Sequence, residues 1–285
     1  MFIVDRGRVA LGSFLFVLFC DSFLIGGCLY HNHGNTVNVS YFIVFCLISL
    51  IPIPVPYILY QRCLEVSIRA SVLGFVCAIG AFLTLAVSDT AIQHLGTYFM
   101  LMSLFHWSEF ITVALTNPKS LKIDSFLLNH SKEYWIAAFC SWAEFMIEYF
   151  LIPGVKSHWL PAAIGLVMCL TGEALRKLAM ITAGRSFTHL IAYRKTNEHQ
   201  LITHGVFGLV RHPAYVGWFW WSVGTQVLLC NPVCIVGYAV AAWHFFNNRI
   251  YDEEVTLLNF YGESYMSYQR RVPTGLPFIE GFHLD

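Results

Sequence analysis

Charge is what this sequence has least of. Asp, Glu, Lys and Arg make up 12% of its 285 residues, about half the share of a soluble domain, whereas 57% are hydrophobic. Formal net charge is zero, so there is no basic excess to neutralise phosphates and no nucleic-acid partner is expected. No G-x-G-x-x-G opens a helix after a strand and no G-x-x-x-x-G-K-[ST] occurs, which removes Rossmann and P-loop nucleotide binding. The nine cysteines contain no C-x-x-C pair, and His199, His204 and His212 are spaced too widely for a histidine-box iron site, so no metal is expected. Internal repeats, low-complexity tracts and a linker to a separate soluble domain are missing as well. What remains is the profile of an all-α, polytopic integral membrane protein.

Apolar windows long enough to cross roughly 30 Å of hydrocarbon fall near residues 9–30, 40–60, 70–88, 95–116, 134–152, 159–181, 214–230 and 232–250. The first follows "MFIVDRGR"; its apolar run is longer than that of a signal peptide and no A-x-A-like site follows, so it reads as a retained span. Placing the N-terminus in the cytosol puts 16 of the 17 Lys and Arg residues on the inner side and leaves only Lys156 outside. The positive-inside rule therefore predicts about eight transmembrane helices with both termini cytosolic. Residues 1–130 would hold helices one to four. Residues 131–285 would hold helices five to eight, a cytosolic loop at 182–212 and a C-terminal cytosolic segment at 249–285. Pro52, Pro54 and Pro56 predict a bent or broken second span. Cysteines within spans read as packing residues, although Cys230 and Cys234, flanking the turn "CNPVC", could pair. His31, His33, His94 and His158 read as solvated residues of outer loops. Asp21, Glu109, Glu144, Glu148 and Glu173 are carboxylates within spans, suited to interhelical hydrogen bonds or a polar cavity.

Chemistry belongs where polar residues gather. The loop before the seventh span is long, and such loops usually carry function. It ends in "LVRHPAYVGW", where Pro213 starts a helix at its favoured first position and His212 stands at the cap. Free amides there suit a carboxylate or phosphate. Tyr215 adds an aromatic face, and Gly217 lets a planar ligand approach the backbone. An interfacial Arg–His–Tyr anchor would look the same. The end of the eighth span adds Arg249, Asp252, Glu253 and Glu254, with Arg249 and Glu253 four apart on one face. If spans seven and eight form an antiparallel hairpin, these two neighbour His212 and Tyr215. Arg249 then suits a substrate carboxylate, and Glu253 a cationic or hydroxyl-bearing cofactor.

"AGRSFTHL" (183–190), "EHQLITHGVF" (198–207), "RHPAYVGW" (211–218) and "NRIYDEEVTLLNFYGESYMSYQRRVPTGLPF" (248–278) together resemble the isoprenylcysteine carboxyl methyltransferases, densely over residues 172–280. The RHP-x-Y-x-G element with a following Glu pair also occurs in phospholipid N-methyltransferases and sterol reductases, the alternative readings. The resemblance implies methyl transfer from S-adenosylmethionine, leaving S-adenosylhomocysteine, to the C-terminal carboxylate of a prenylated cysteine, farnesyl or geranylgeranyl, in CaaX-processed proteins such as small GTPases. It implies an endoplasmic-reticulum membrane with the site facing the cytosol, and membrane lipid as a further partner. Carried over residue by residue, His199, Gln200, Leu201, Ile202, Phe207, His212, Pro213, Ala214, Tyr215 and Glu253 line the cofactor. Arg249 binds substrate, and Arg249 and Glu253 are the catalytic pair. Phe207 replaces a tyrosine common in the family. An α-carboxyl titrates near 3.5 and needs no general base, which fits the lack of a nucleophile–base pair.

Overall fold

The computed structural model describes residues 4–31, 39–128, 132–196 and 199–283; His33 and Glu198 lie outside them. Among the described residues all regular structure is helical: α1 (Asp5–His31), α2 (Val39–Ile48), α3 (Pro54–Leu59), α4 (Leu64–Ala86), α5 (Thr90–Thr116), α6 (Lys132–Leu151), α7 (Pro153–Lys156), α8 (Trp159–Ala183), α9 (Pro213–Leu228), α10 (Pro232–Tyr261) and α11 (Glu263–Gln269), with short 3₁₀ turns between them. Each apolar window predicted from sequence except 40–60 falls largely on one helix. Among the described residues three helical stretches, Asp5–Tyr30, Gln61–Ala86 and Thr90–Thr116, are long and apolar enough by themselves to cross a membrane. Packing divides the chain into two compact units, residues 1–163 with 228–231, and residues 164–227 with 232–285.

In the first unit α1, α4 and α5 pack through small residues, as helices do where backbones must approach closely. A Cβ on Gly80 would stand 2.5 Å from the Gly96 carbonyl oxygen, and one on Gly96 2.6 Å from that of Gly80. Ser13 and Ser67 share a hydrogen bond of 3.0 Å between α1 and α4. The proline-rich second window is broken outright: α2 stops at Ile48 and α3 starts at Pro54, because the prolines cannot donate to the preceding turn.

Lys156, the one cation expected on the outer side, is fully buried. Its ammonium lies 2.6 Å from Glu148 Oε2 and donates to Asn231 Oδ1 at 2.6 Å and to the Cys230 carbonyl at 2.8 Å. Glu148 therefore serves as a buried counter-charge. His94, expected as a solvated outer-loop residue, instead sits in the second turn of α5, its Nδ1 2.9 Å from the Lys156 carbonyl oxygen. All nine cysteines are free thiols, so Cys230 and Cys234 are not paired.

The second unit is built on α8, α9, α10 and α11. Gly217 plays a part other than the one its neighbours suggested. A Cβ there would fall 2.5 Å from the Gly172 carbonyl oxygen and 2.8 Å from the Arg176 backbone nitrogen. It therefore packs α9 on the α8 backbone and does not admit a ligand. Gly217→Ala is expected to lower stability by about 1–3 kcal/mol through overpacking, read as a lower thermal midpoint in detergent. An unchanged midpoint would refute the close contact.

Helix α10 runs eleven residues past Ile250 before Gly262, at φ +51°, ends it. No proline interrupts it after its first position, so the polar run 249–261 stays helical instead of opening into a loop. Its 30 residues span roughly 45 Å, longer than the ~30 Å apolar core of a bilayer.

Candidate active site

Residues 184–212 join α8 to α9 with two 3₁₀ turns, Gly184–Ser186 and Gly205–Gly208, and otherwise irregular backbone. The segment is held by side chains from elsewhere in its unit. Ser186 Oγ accepts from the Gln200 N–H at 3.1 Å, and the Tyr268 hydroxyl donates to the Phe207 carbonyl at 2.6 Å. Helix α9 begins at Pro213 as expected, with the His212 carbonyl accepting from the Tyr215 and Val216 N–H groups at 3.0 Å each.

These segments line a partly open cleft of about 130 Å³. Gln200, Leu201, Ile202, Phe207, His212, Pro213, Ala214, Tyr215 and Glu253, nine of the positions predicted to hold a cofactor, line it. His199 does not; its Nδ1 accepts from the Thr196 N–H at 3.4 Å and its ring stacks near Phe260. Sequence reasoning missed other walls: Ser186, Phe187 and Thr188, and Leu257, Tyr265 and Tyr268. The first three lie in "RSFTH", a family-like stretch that offers no charge to single it out. Leu257 is four residues, one helical turn, beyond Glu253 and was legible by spacing.

Arg249 and Glu253 meet through an intermediary. The Tyr215 hydroxyl donates to Glu253 Oε2 at 2.6 Å and accepts from Arg249 Nε at 2.9 Å. The second face of the guanidinium is held by the His189 carbonyl, 2.5 Å from its terminal nitrogen, and the group lies 5.6 Å from the centre of the Tyr215 ring. The direct 249–253 ion pair that spacing allowed is replaced by this relay. Tyr215 itself is clamped between the His212 ring at 5.6 Å and the Phe246 ring at 5.2 Å, both nearly parallel to it.

Behind His212 lies a polar clasp that no sequence motif announced. The Glu254 carboxylate is wholly buried and accepts five hydrogen bonds. Arg211 Nε (2.8 Å), His212 Nε2 (3.0 Å) and the Tyr265 hydroxyl (3.1 Å) reach Oε1. Gln269 Nε2 (3.1 Å) and the Phe282 N–H (2.9 Å) reach Oε2. Burial by itself would raise this acid, but the hydrogen bonds and charge of His212 and Arg211 outweigh it and bring it down to about 2. Since a carboxylate only accepts, His212 must carry a proton on Nε2, leaving Nδ1 3.9 Å from Glu253 Oε2. Arg211 is further engaged by the carbonyls of Gln269, Val272 and Glu280. Burial pushes the nearby Tyr268 phenol up to about 12.

The cleft thus offers a half-buried carboxylate, a phenol, an imidazole and apolar walls. Among the described residues no group of three or more His, Cys, Asp or Glu side chains is placed to hold a metal ion. The profile of the isoprenylcysteine carboxyl methyltransferase (ICMT) family matches residues 164–259, the stretch that carries most of this cleft. A protein-S-isoprenylcysteine O-methyltransferase of Xenopus laevis is 52% identical over 221 residues, 78% of this chain and 76% of that one. Its counterpart in Tribolium castaneum is 45% identical over 260 residues, covering 90% and 92%. The solved structure of the eukaryotic intramembrane Ras methyltransferase ICMT without a monobody superposes with a TM-score of 0.89 at 41% identity, over 98% of this chain and 99% of that one. At such identity over more than two thirds of both chains, the chain belongs to the isoprenylcysteine carboxyl methyltransferase family.

Proposed function

We propose that the chain, an integral membrane methyltransferase acting on prenylcysteine carboxyl groups, takes the methyl group from S-adenosylmethionine and works at the cytosolic face of its membrane. The observation that carries this reading is the Arg249–Tyr215–Glu253 relay beside a cleft lined by Gln200, Leu201, Ile202, Phe207 and His212. The phospholipid N-methyltransferase and sterol reductase readings give way to the family match.

The cleft fits the donor in chemistry. Glu253 supplies negative charge for a cationic or ribose-bearing molecule, Tyr215 and Phe207 supply ring faces, and Leu201, Ile202 and Leu257 supply an apolar lining. S-adenosylmethionine, when bound, supplies a methyl group activated by its sulfonium. The protein's own contribution is positioning. Arg249, steered by Tyr215 and the His189 carbonyl, holds the acceptor carboxylate. That carboxylate is ionised at neutral pH, so no side chain has to remove a proton. Glu253 orients the donor. The low-dielectric wall of rings keeps water away from the reacting pair, so proximity and partial desolvation lower the barrier.

The membrane setting serves both reactants. A prenyl chain partitions into lipid at about 0.8 kcal/mol per CH₂, whereas a charged nucleoside donor arrives through water. Eight spans with both termini cytosolic would put the loop 182–212 and the segment from 249 onward, within the catalytic region 131–285, at the inner interface. An endoplasmic-reticulum location is what the resemblance implies and belongs to the same proposal.

Radiolabelled methyl transfer from S-adenosylmethionine to N-acetyl-S-farnesylcysteine tests this, with phosphatidylethanolamine as control acceptor. Label in the cysteine ester and none in lipid is expected. Label in the lipid, or none in either, would overturn it.

A further inference from the structure

A second cleft opens on the same extension of α10, on a different face from the first. Tyr193, Tyr251, Phe260 and Phe282 form aromatic walls, and Asp252 and Asn259 are its exposed polar groups, around an open cleft of about 630 Å³. Tyr251 and Phe282 meet edge to face, ring centres 5.2 Å apart, so two walls are fixed against each other. Tyr193 is 74% exposed.

The charge of this cleft is negative and uncompensated. Among the described residues Asp252 has no hydrogen-bond or ion-pair partner within 4.0 Å. The adjacent cations do not neutralise it. Lys195 donates to the Phe260 carbonyl at 2.7 Å and lies over the Tyr261 ring at 4.4 Å; Arg194 is exposed and forms no pair with Asp252. A carboxylate among ring faces attracts a cation twice over, by charge and by the ring quadrupoles, and repels an anion. Neither the methyl donor nor the acceptor carboxylate needs such a place.

Asp252 directly precedes Glu253, so their side chains point about 100° apart on the helix and their tips are roughly 10 Å apart. An extended peptide covers that in about three residues. The relatives act on an isoprenylcysteine carried by a protein, and polypeptide must lead away from the acceptor residue. We propose that this second cleft binds a lysine or arginine side chain of the substrate polypeptide, two to four residues before the prenylated cysteine. The inference rests on the methyl-transfer reading given above and adds to it a preference for basic tails.

The test uses full-length protein in phosphatidylcholine nanodiscs and three acceptors: N-acetyl-S-farnesylcysteine, a farnesylated peptide with lysines at those positions, and the same peptide with serines. The wild type should show a KM about 3- to 10-fold lower for the lysine peptide than for the serine peptide, and the gap should shrink at high salt. Asp252→Asn should erase the gap while leaving kcat and KM for the single-residue acceptor unchanged, and Tyr193→Ala should narrow it. Equal KM values for the two peptides in the wild type would overturn the proposal, as would an equal effect of Asp252→Asn on all three acceptors. A gap that follows phosphatidylcholine content instead of peptide charge would also overturn it, pointing to a choline headgroup as occupant. Failure of the wild type on N-acetyl-S-farnesylcysteine would remove the methyl-transfer reading, and this inference with it.

Discussion

Arg249→Ala is expected to cut kcat/KM for a farnesylcysteine acceptor by about a hundredfold or more, the usual loss when a preorganised donor to reacting charge is removed. Binding of S-adenosylhomocysteine should change little, because Arg249 does not line the cofactor cleft. The separation of the two readouts matters. A folding defect would lower both, whereas loss of the acceptor's anchor lowers only turnover. Arg249→Lys should recover little, since one ammonium cannot keep the Tyr215 and His189 contacts and still meet a carboxylate with a planar fork. Tyr215→Phe should fall between wild type and Arg249→Ala: it frees the guanidinium from its steering bond but leaves the charge. Near-normal turnover in Arg249→Ala protein that still binds S-adenosylhomocysteine would take the arginine out of the mechanism.

Glu254→Ala is expected to destabilise the second unit by about 3–5 kcal/mol, the cost of leaving a buried partner charge uncompensated. The stranded groups are Arg211 and His212, with the Phe282 N–H, Tyr265 and Gln269 also losing their acceptor. S-adenosylhomocysteine binding should fall with it, since His212 loses the bond that sets its ring and Tyr265 loses its anchor, and both line the cleft. The pH dependence has a definite sign. The folded-state acid is held near 2, below its ordinary 4.5. Its contribution is therefore complete above about pH 4.5 and disappears as pH falls toward 2. That contribution is about 3 kcal/mol. Thermal midpoints in detergent should drop between pH 5 and pH 3 for the wild type, and less for Glu254→Gln, which cannot titrate. Parallel pH profiles for the two proteins would show that Glu254 is not the group responsible.

The same pair of glutamates shows where reading the chain stops short. Glu253 was recognisable because it stands four residues from Arg249 and both face a predicted helical neighbour. Glu254 carries as much polar structure, yet its partners lie at 211, 212, 265, 269 and 282, and no local spacing connects them. Gly217 illustrates the converse error. Beside His212, Pro213 and Tyr215 it looked like room for a ligand, but the backbone it admits is that of Gly172, forty-five positions earlier. Lys156 was read only as the one cation on the outer side. Only the folded chain brings Glu148, Asn231 and the Cys230 carbonyl around it.

Composition and hydropathy alone decided that this chain is a helical membrane protein, because a bilayer leaves the backbone no other way to satisfy its amides without closing a barrel. The motif spacing marked the start of α9 and the face of α10 as the place for chemistry, since helix capping and the i,i+4 relation are local geometry. The tertiary structure decided the rest: that Tyr215 bridges Arg249 and Glu253, that Glu254 fastens the C-terminal segment to His212, and that the other face of α10 carries an aromatic cleft. Each of these depends on side chains far apart in sequence sharing one dry volume, where hydrogen bonds and charge act at close range and the order of residues along the chain no longer says who meets whom.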